Sequence, residues 1–122
     1  MDRHTQVSVE DGIVRVTIMG EVRPSHSSDA ITKAARAAQD AGSKLLLFDI
    51  THAQYREYHA LALSHARDAY RTGMVKFRIA ILGKADDAKL PYFENVAINR
   101  GIRARSFTKE RDALKWLKGP AP

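Results

Sequence analysis

The 122-residue sequence has no cysteine, so disulfides, thiol nucleophiles, cysteine-bound zinc and iron–sulfur clusters are all excluded, as suits a reducing compartment. No apolar run approaches the length that a bilayer-spanning helix needs, and no apolar stretch of the kind found in secretory signals follows Met1-Asp2-Arg3-His4. A cytoplasmic protein without a transmembrane segment is therefore expected. Internal repeats and low-complexity tracts are also missing. Gly83, Gly101 and Gly119 stand singly as punctuation, so there is no glycine-rich phosphate loop, and no Gly-x-Ser-x-Gly elbow occurs. Spacing supplies no set of nucleophile, base and orienting group. The expectation is a protein that is not an enzyme and has no cofactor and no metal site.

What is present suffices for one globular domain over residues 1–122: 44% of the residues are hydrophobic, and the length allows a core without staples. The centre is the stretch Lys44-Leu45-Leu46-Leu47-Phe48-Asp49-Ile50-Thr51-His52. A continuous apolar run of this kind reads as a parallel strand covered on both faces, with Asp49 and Thr51 as the first polar side chains where it stops. Ligands and partners of open α/β sheets gather at such strand ends.

Before it, Gln6–Glu10 and Ile13–Gly20 flank Asp11-Gly12, a strong hairpin signal. Glu21 to Ser28 reads as a polar loop containing Pro24. Ser27 or Ser28 would then cap a first helix ending near Ala41 and closed by Gly42, with Ile31, Ala34, Ala35 and Ala38 as its packing stripe. After it, Thr51 to Arg56 reads as a connection and a second helix runs from about Glu57 to Arg71. A strand at Lys76–Gly83 follows, then a helix from Pro91 to about Arg100, an edge strand at Arg103–Phe107, a last helix capped by Thr108, and a tail from Gly119. The fold class is α/β: a mixed, mostly parallel five-stranded sheet with four helices, opening with a β-hairpin.

The net charge is +6, and most of it lies between Arg100 and Lys118, where seven basic residues outnumber two acidic ones. A solvated edge that resists strand-to-strand aggregation is the expected reading, ahead of a surface for an acidic protein, nucleic acid or anionic lipid. Nucleic acid is not the expected partner, because Phe107 is the only aromatic of that strand and stacking platforms carry several.

His52, His59 and His65 lie close in sequence, but His59 and His65 are six apart and point to different sides of a helix, which excludes an i, i+4 metal clamp. His65 shares a stripe with Leu61 and Ala69 and reads as a packed histidine, while His52 and His59 could meet near the strand end as a general base. Tyr58, Leu61, Tyr70 and Phe93 can line an apolar pocket between the second and third helices, suited to a lipid or small apolar ligand. The second apolar stripe of helix two, with Leu63, Ala66 and Tyr70, allows a homodimer.

The element order, with Asp49-Ile50-Thr51 after the central strand, resembles the STAS domain. Tyr92-Phe93-Glu94-Asn95-Val96-Ala97-Ile98-Asn99-Arg100-Gly101, then Arg105-Ser106-Phe107-Thr108 and Ala113-Leu114-Lys115-Trp116-Leu117, is similar to the ending of the SpoIIAA-like family, a branch of small bacterial STAS-like proteins. The resemblance implies an anti-sigma-factor-antagonist-like regulatory module whose partner is a kinase or sigma-factor regulator. It maps the phosphorylated hydroxyl onto Thr51, although His52-Ala53-Gln54-Tyr55-Arg56 replaces the antagonists' following Gly. Asp49, Thr51, His52 and Arg56 are the expected partner-binding residues. An aspartyl-phosphate receiver at Asp49 does not fit, because the acids of the opening hairpin, Glu10 and Asp11, lie in its turn.

Overall fold

A computed structural model describes residues 5–55 and 58–120, with residues 24–28 as backbone only. Strands β1 (Thr5–Glu10) and β2 (Ile13–Val22) form the expected hairpin, antiparallel with Glu10 opposite Ile13. Asp11 (φ 53°) and Gly12 (φ 75°) both take the left-handed backbone that a two-residue hairpin of this twist demands. Next come α1 (Pro24–Ala41), β3 (Leu45–Tyr55), α2 (Tyr58–Arg71), a 3-10 turn (Met74–Lys76) and β4 (Arg78–Leu82), then α3 (Lys89–Asn99), β5 (Arg103–Phe107) and α4 (Glu110–Lys118). The five strands lie in sequence order, β1-β2-β3-β4-β5, and every pair after the hairpin is parallel.

Alternation along β2 divides the protein into two layers. Val14, Val16 and Ile18 face a large core with Leu46, Phe48 and Ile50 of β3, closed over by Ile31, Ala34 and Ala38 of α1, Leu61 and Ala66 of α2, and Phe93 of α3. The other face holds a smaller core in which Ile13, Leu47, Ala80 and Leu82 meet Ala113 and Leu117 of α4. Leu46 and Leu47 are both fully buried, one in each layer, which is why the central run is apolar at every position.

Several boundaries differ from the sequence reading. The connection expected from Thr51 to Arg56 is strand as far as Tyr55, because β2 runs past Gly20 to Val22 and supplies ladder partners: Met19 opposite His52, Gly20 opposite Ala53, Glu21 opposite Gln54 and Val22 opposite Tyr55. Thr51 therefore lies within a strand rather than at its end. Arg56 and Glu57 fall outside the described residues. Helix α1 starts a turn early, with Pro24 in its first turn and Arg23 as cap, so neither Ser27 nor Ser28 is the N-cap. Gly42 closes it in the left-handed conformation (φ 64°), as expected. Strand β4 begins at Arg78 rather than Lys76, since Met74–Lys76 winds into the 3-10 turn. Helix α3 begins at Lys89, ahead of Pro91. Lys109 rather than Thr108 stands at the N-cap of α4, and Glu110 and Asp112 in its first turn with Lys115 and Lys118 in its last complement the helix dipole.

Candidate functional site

At the middle of β3 the ladder to β2 slips by one residue. Thr17 pairs with Asp49 and Met19 with His52, so Ile50 and Thr51 together oppose Ile18. A bulge of this kind leaves a backbone N–H without its ladder partner. Asp49 takes up that donor: its Oδ1 accepts the Thr51 N–H at 3.0 Å and the Thr51 hydroxyl at 2.6 Å.

The other carboxylate oxygen faces β2. Arg15 Nη2 donates to Asp49 Oδ2 at 3.2 Å and also to Glu110 Oε1 in the first turn of α4. Arg15 thus joins the central strand to the helix on the outer face. Burial alone would raise the Asp49 pKa, but the two hydrogen bonds from Thr51 and the Arg15 charge outweigh it and hold the carboxyl below its ordinary value. Such a carboxylate is a weak base at neutral pH. In this geometry it holds the Thr51 hydroxyl and the N–H freed at the bulge. Thr51 is half-buried and His52 exposed. Ala53 and Tyr55 pack toward the large core, so alternation places His52 and Gln54 on the opposite face, the one that carries Asp49.

His59 and His65 have separate surroundings. His59 stacks on Tyr58 (ring centroids 4.1 Å apart) and meets Tyr92 edge-on at 4.6 Å. His65 packs edge-on to Tyr55 and Phe93, each at 6.0 Å, and burial pushes its pKa down to about 4. Among the described residues no group of three or more metal-ligating side chains stands together, and no helix is long and apolar enough to cross a membrane.

A cavity of about 80 Å³ lies under α2 and α3 against the sheet, walled by Phe48, Ile50, Met74 and Ile79 among others, with Tyr55 and His65 as its polar-tipped members. Of the four residues expected to line a pocket here, Phe93 does so. Leu61 is sealed in the core, Tyr58 packs edge-on against Tyr92 and Phe93, and Tyr70 is 59% exposed on the outside of α2, as is Leu63 at 50%. Helical spacing placed Tyr58, Leu61 and Tyr70 near the right helix, but which side meets the cavity depends on how α2 is rotated against α3.

Strand β5 is an edge, as expected, with Arg103 and Arg105 exposed. Its outward donors are used internally: Glu94 Oε1 of α3 accepts the Ser106 N–H at 2.6 Å, and the Ile102 carbonyl accepts the Ala104 N–H at 3.0 Å. Sequence reasoning passed over Arg15, Glu110, Glu94 and Arg78. Only the alternation of Arg15 and Thr17 with Val14 and Val16 hinted that Arg15 shares a face with something polar.

No family model and no curated protein matches the chain by sequence. Solved structures do match it. An anti-sigma factor antagonist from Mycobacterium paratuberculosis superposes with a TM-score of 0.64 at 16% identity, over 94% of this chain and 93% of that one. The anti-sigma factor antagonist SpoIIAA in its unphosphorylated form gives 0.61 at 12% identity, over 97% and 99%. A protein with a SpoIIAA-like fold from Shewanella loihica gives 0.60 at 22% identity, over 93% and 91%. The likeness spans nearly the whole of each chain at low identity, and the fold of this protein is SpoIIAA-like.

Proposed function

We propose that this protein is a non-enzymatic regulatory module that docks a protein partner through the outer part of β3, at Asp49, Thr51 and His52 with Arg56 beyond, and that phosphorylation of Thr51 controls the docking. The observation that carries the reading is the single Asp49 oxygen holding both the backbone N–H and the hydroxyl of Thr51. A phosphate there replaces a donor to a carboxylate with about −1.5 to −2 units of charge, which repels Asp49 and alters the surface a partner meets. The fold shared with anti-sigma factor antagonists supports a kinase or sigma-factor regulator as that partner.

The test is affinity capture from the native lysate with wild type, Thr51→Ala and Thr51→Asp as baits. The reading expects a kinase, ATPase or sigma-factor regulator that wild type retains and Thr51→Asp loses. Equal capture of every partner by all three baits would count decisively against it.

A second reading rests on the cavity, whose lining is almost wholly apolar. It makes the protein a carrier of a small apolar ligand or of part of a lipid. An apolar cavity of about 150 Å³ holds benzene, so the cavity of about 80 Å³ here accepts a shorter apolar group unless α2 and α3 part. Mass spectrometry of an organic extract of the purified protein tests it: a stoichiometric ligand that disappears when Ala69 is enlarged to Leu supports the carrier, and a clean extract removes it.

A further inference from the structure

We propose that Arg15 reads a phosphate on Thr51 and that the first turn of α4 responds to it. The inference rests on the regulatory reading above and deepens it by naming the sensor and the element that moves. Arg15 is a shared cation: one nitrogen, Nη2, serves both Asp49 Oδ2, at 3.2 Å, and Glu110 Oε1. Thr51 hangs from the other oxygen of the same Asp49 carboxylate, at 2.6 Å. Strand β2, strand β3 and helix α4 are therefore linked through the Arg15 guanidinium and the two carboxylates it bridges, Asp49 and Glu110.

Phosphorylation changes the charge balance of this chain. A kinase transfers the γ-phosphoryl group of a nucleoside triphosphate to Thr51 Oγ1: the bond from phosphorus to the leaving diphosphate breaks, the Oγ1–P bond forms, and the hydroxyl proton passes to the base of the kinase. Oγ1 then has no hydrogen to give Asp49. A dianion sits beside that carboxylate, and Arg15 is the cation already bound to the carboxylate's far oxygen. Guanidinium binds phosphate with two parallel charge-assisted bonds, a stronger arrangement than its contact with the half-exposed Glu110 carboxylate. Arg15 turns to the phosphate and Glu110 loses its tie to the sheet. The rest of α4 stays docked through Ala113 and Leu117, so the change is a loosened first turn rather than a lost helix.

The test uses the full chain with phosphothreonine installed at position 51 during translation, so it depends on no kinase and no partner. Amide hydrogen exchange is followed at Ala113, whose N–H donates to the Lys109 carbonyl at 3.2 Å, and at Leu114, with Leu46 and Phe48 of β3 as controls. Phosphorylation is expected to speed exchange at Ala113 and Leu114 roughly two- to fivefold, the range for loss of a partly exposed ion pair, with the β3 controls unchanged. Arg15→Gln is expected to exchange fast at these amides already and to gain nothing from the phosphate. Glu110→Gln, altered on the surface side of the pair, is expected to behave the same way and serves if Arg15→Gln does not fold. Unchanged α4 exchange on phosphorylation overturns the proposal. So does equal acceleration in the variants, and so does protection lost throughout β3. Failure of the docking reading would appear in the capture experiment instead, so the two are told apart.

Discussion

Asp49 and Thr51 share one carboxylate oxygen, which accepts the threonine's backbone N–H at 3.0 Å and its hydroxyl at 2.6 Å across the β3 bulge. The backbone of the candidate site and its one modifiable hydroxyl are thus held by the same atom. Asp49→Ala leaves the half-buried Thr51 N–H without its acceptor and Arg15 with Glu110 alone, and it is expected to cost about 1–3 kcal/mol in urea unfolding. Thr51→Val loses only the hydroxyl's bond and keeps the N–H bond and the Arg15 pair, so a smaller loss of about 1 kcal/mol is expected. Equal losses for the two variants would show that Asp49 acts only through the hydroxyl.

The displaced titrations of His65 and Asp49 act in separate pH windows. Burial depresses the His65 pKa from 6.5 to about 4, so the unfolded chain takes up a proton that the folded chain refuses. The stability this contributes is full above the unfolded value and falls as pH drops from 6.5 toward 4, by on the order of 1–3 kcal/mol. His65→Phe is expected to flatten the urea midpoint across that range.

The Asp49 carboxyl, also depressed, contributes stability that is present above its unfolded value of 3.8 and is lost as pH falls through the lower folded value. Asp49→Asn is therefore expected to change the acid limb below pH 3.8 and to leave the window of His65 untouched. Unfolding midpoints at half-unit pH steps resolve the two limbs.

Glu94 protects the β5 edge by accepting the outward N–H of Ser106 at 2.6 Å. An unpaired edge donor invites a strand from a second chain. Glu94→Ala is expected to raise self-association, seen as a concentration-dependent shift in light scattering, whereas Glu94→Gln keeps an acceptor and is expected to remain close to wild type.

Arg78 holds the C-terminal end of α4. Its Nη1 donates to the carbonyls of Trp116 at 2.8 Å, Leu117 at 3.3 Å and Gly119 at 2.8 Å, and the guanidinium lies 5.4 Å from the Trp116 ring centre. Arg78→Ala leaves those carbonyls uncapped and removes a cation from the negative end of the helix. A loss of about 1.5–3 kcal/mol in urea unfolding is expected, together with a red-shifted Trp116 emission maximum. Arg78→Lys, a point charge without the planar fork, is expected to recover only part of it.

Much of the fold was legible because its signals are local. Asp11-Gly12 specifies a hairpin turn through the left-handed backbone of both residues, the apolar run from Leu45 to Phe48 specifies a strand buried on both faces, and alternating Arg103 and Arg105 specify an edge. Element order then selects a mostly parallel sheet with helical crossovers. The boundary that matters most for the candidate site, the end of β3, was misplaced for a non-local reason. The last six residues of β3, Ile50 to Tyr55, have no β4 residue opposite them, so their strand conformation depends on β2 extending to Val22, which no pattern within residues 50–55 reveals.

By itself, then, the sequence determined the class of fold, the central strand, and Asp49 with Thr51 as its first polar pair, because periodicity and turn chemistry act over a few residues. Tertiary structure alone decided what that pair touches. Arg15 stands 34 residues from Asp49 and 95 from Glu110, and they meet only because β2 pairs with β3 in one register, slips by one residue at Thr51, and receives α4 on the outer face. Register and docking are settled by burying two cores at once, a sum over the whole chain that no local stretch contains.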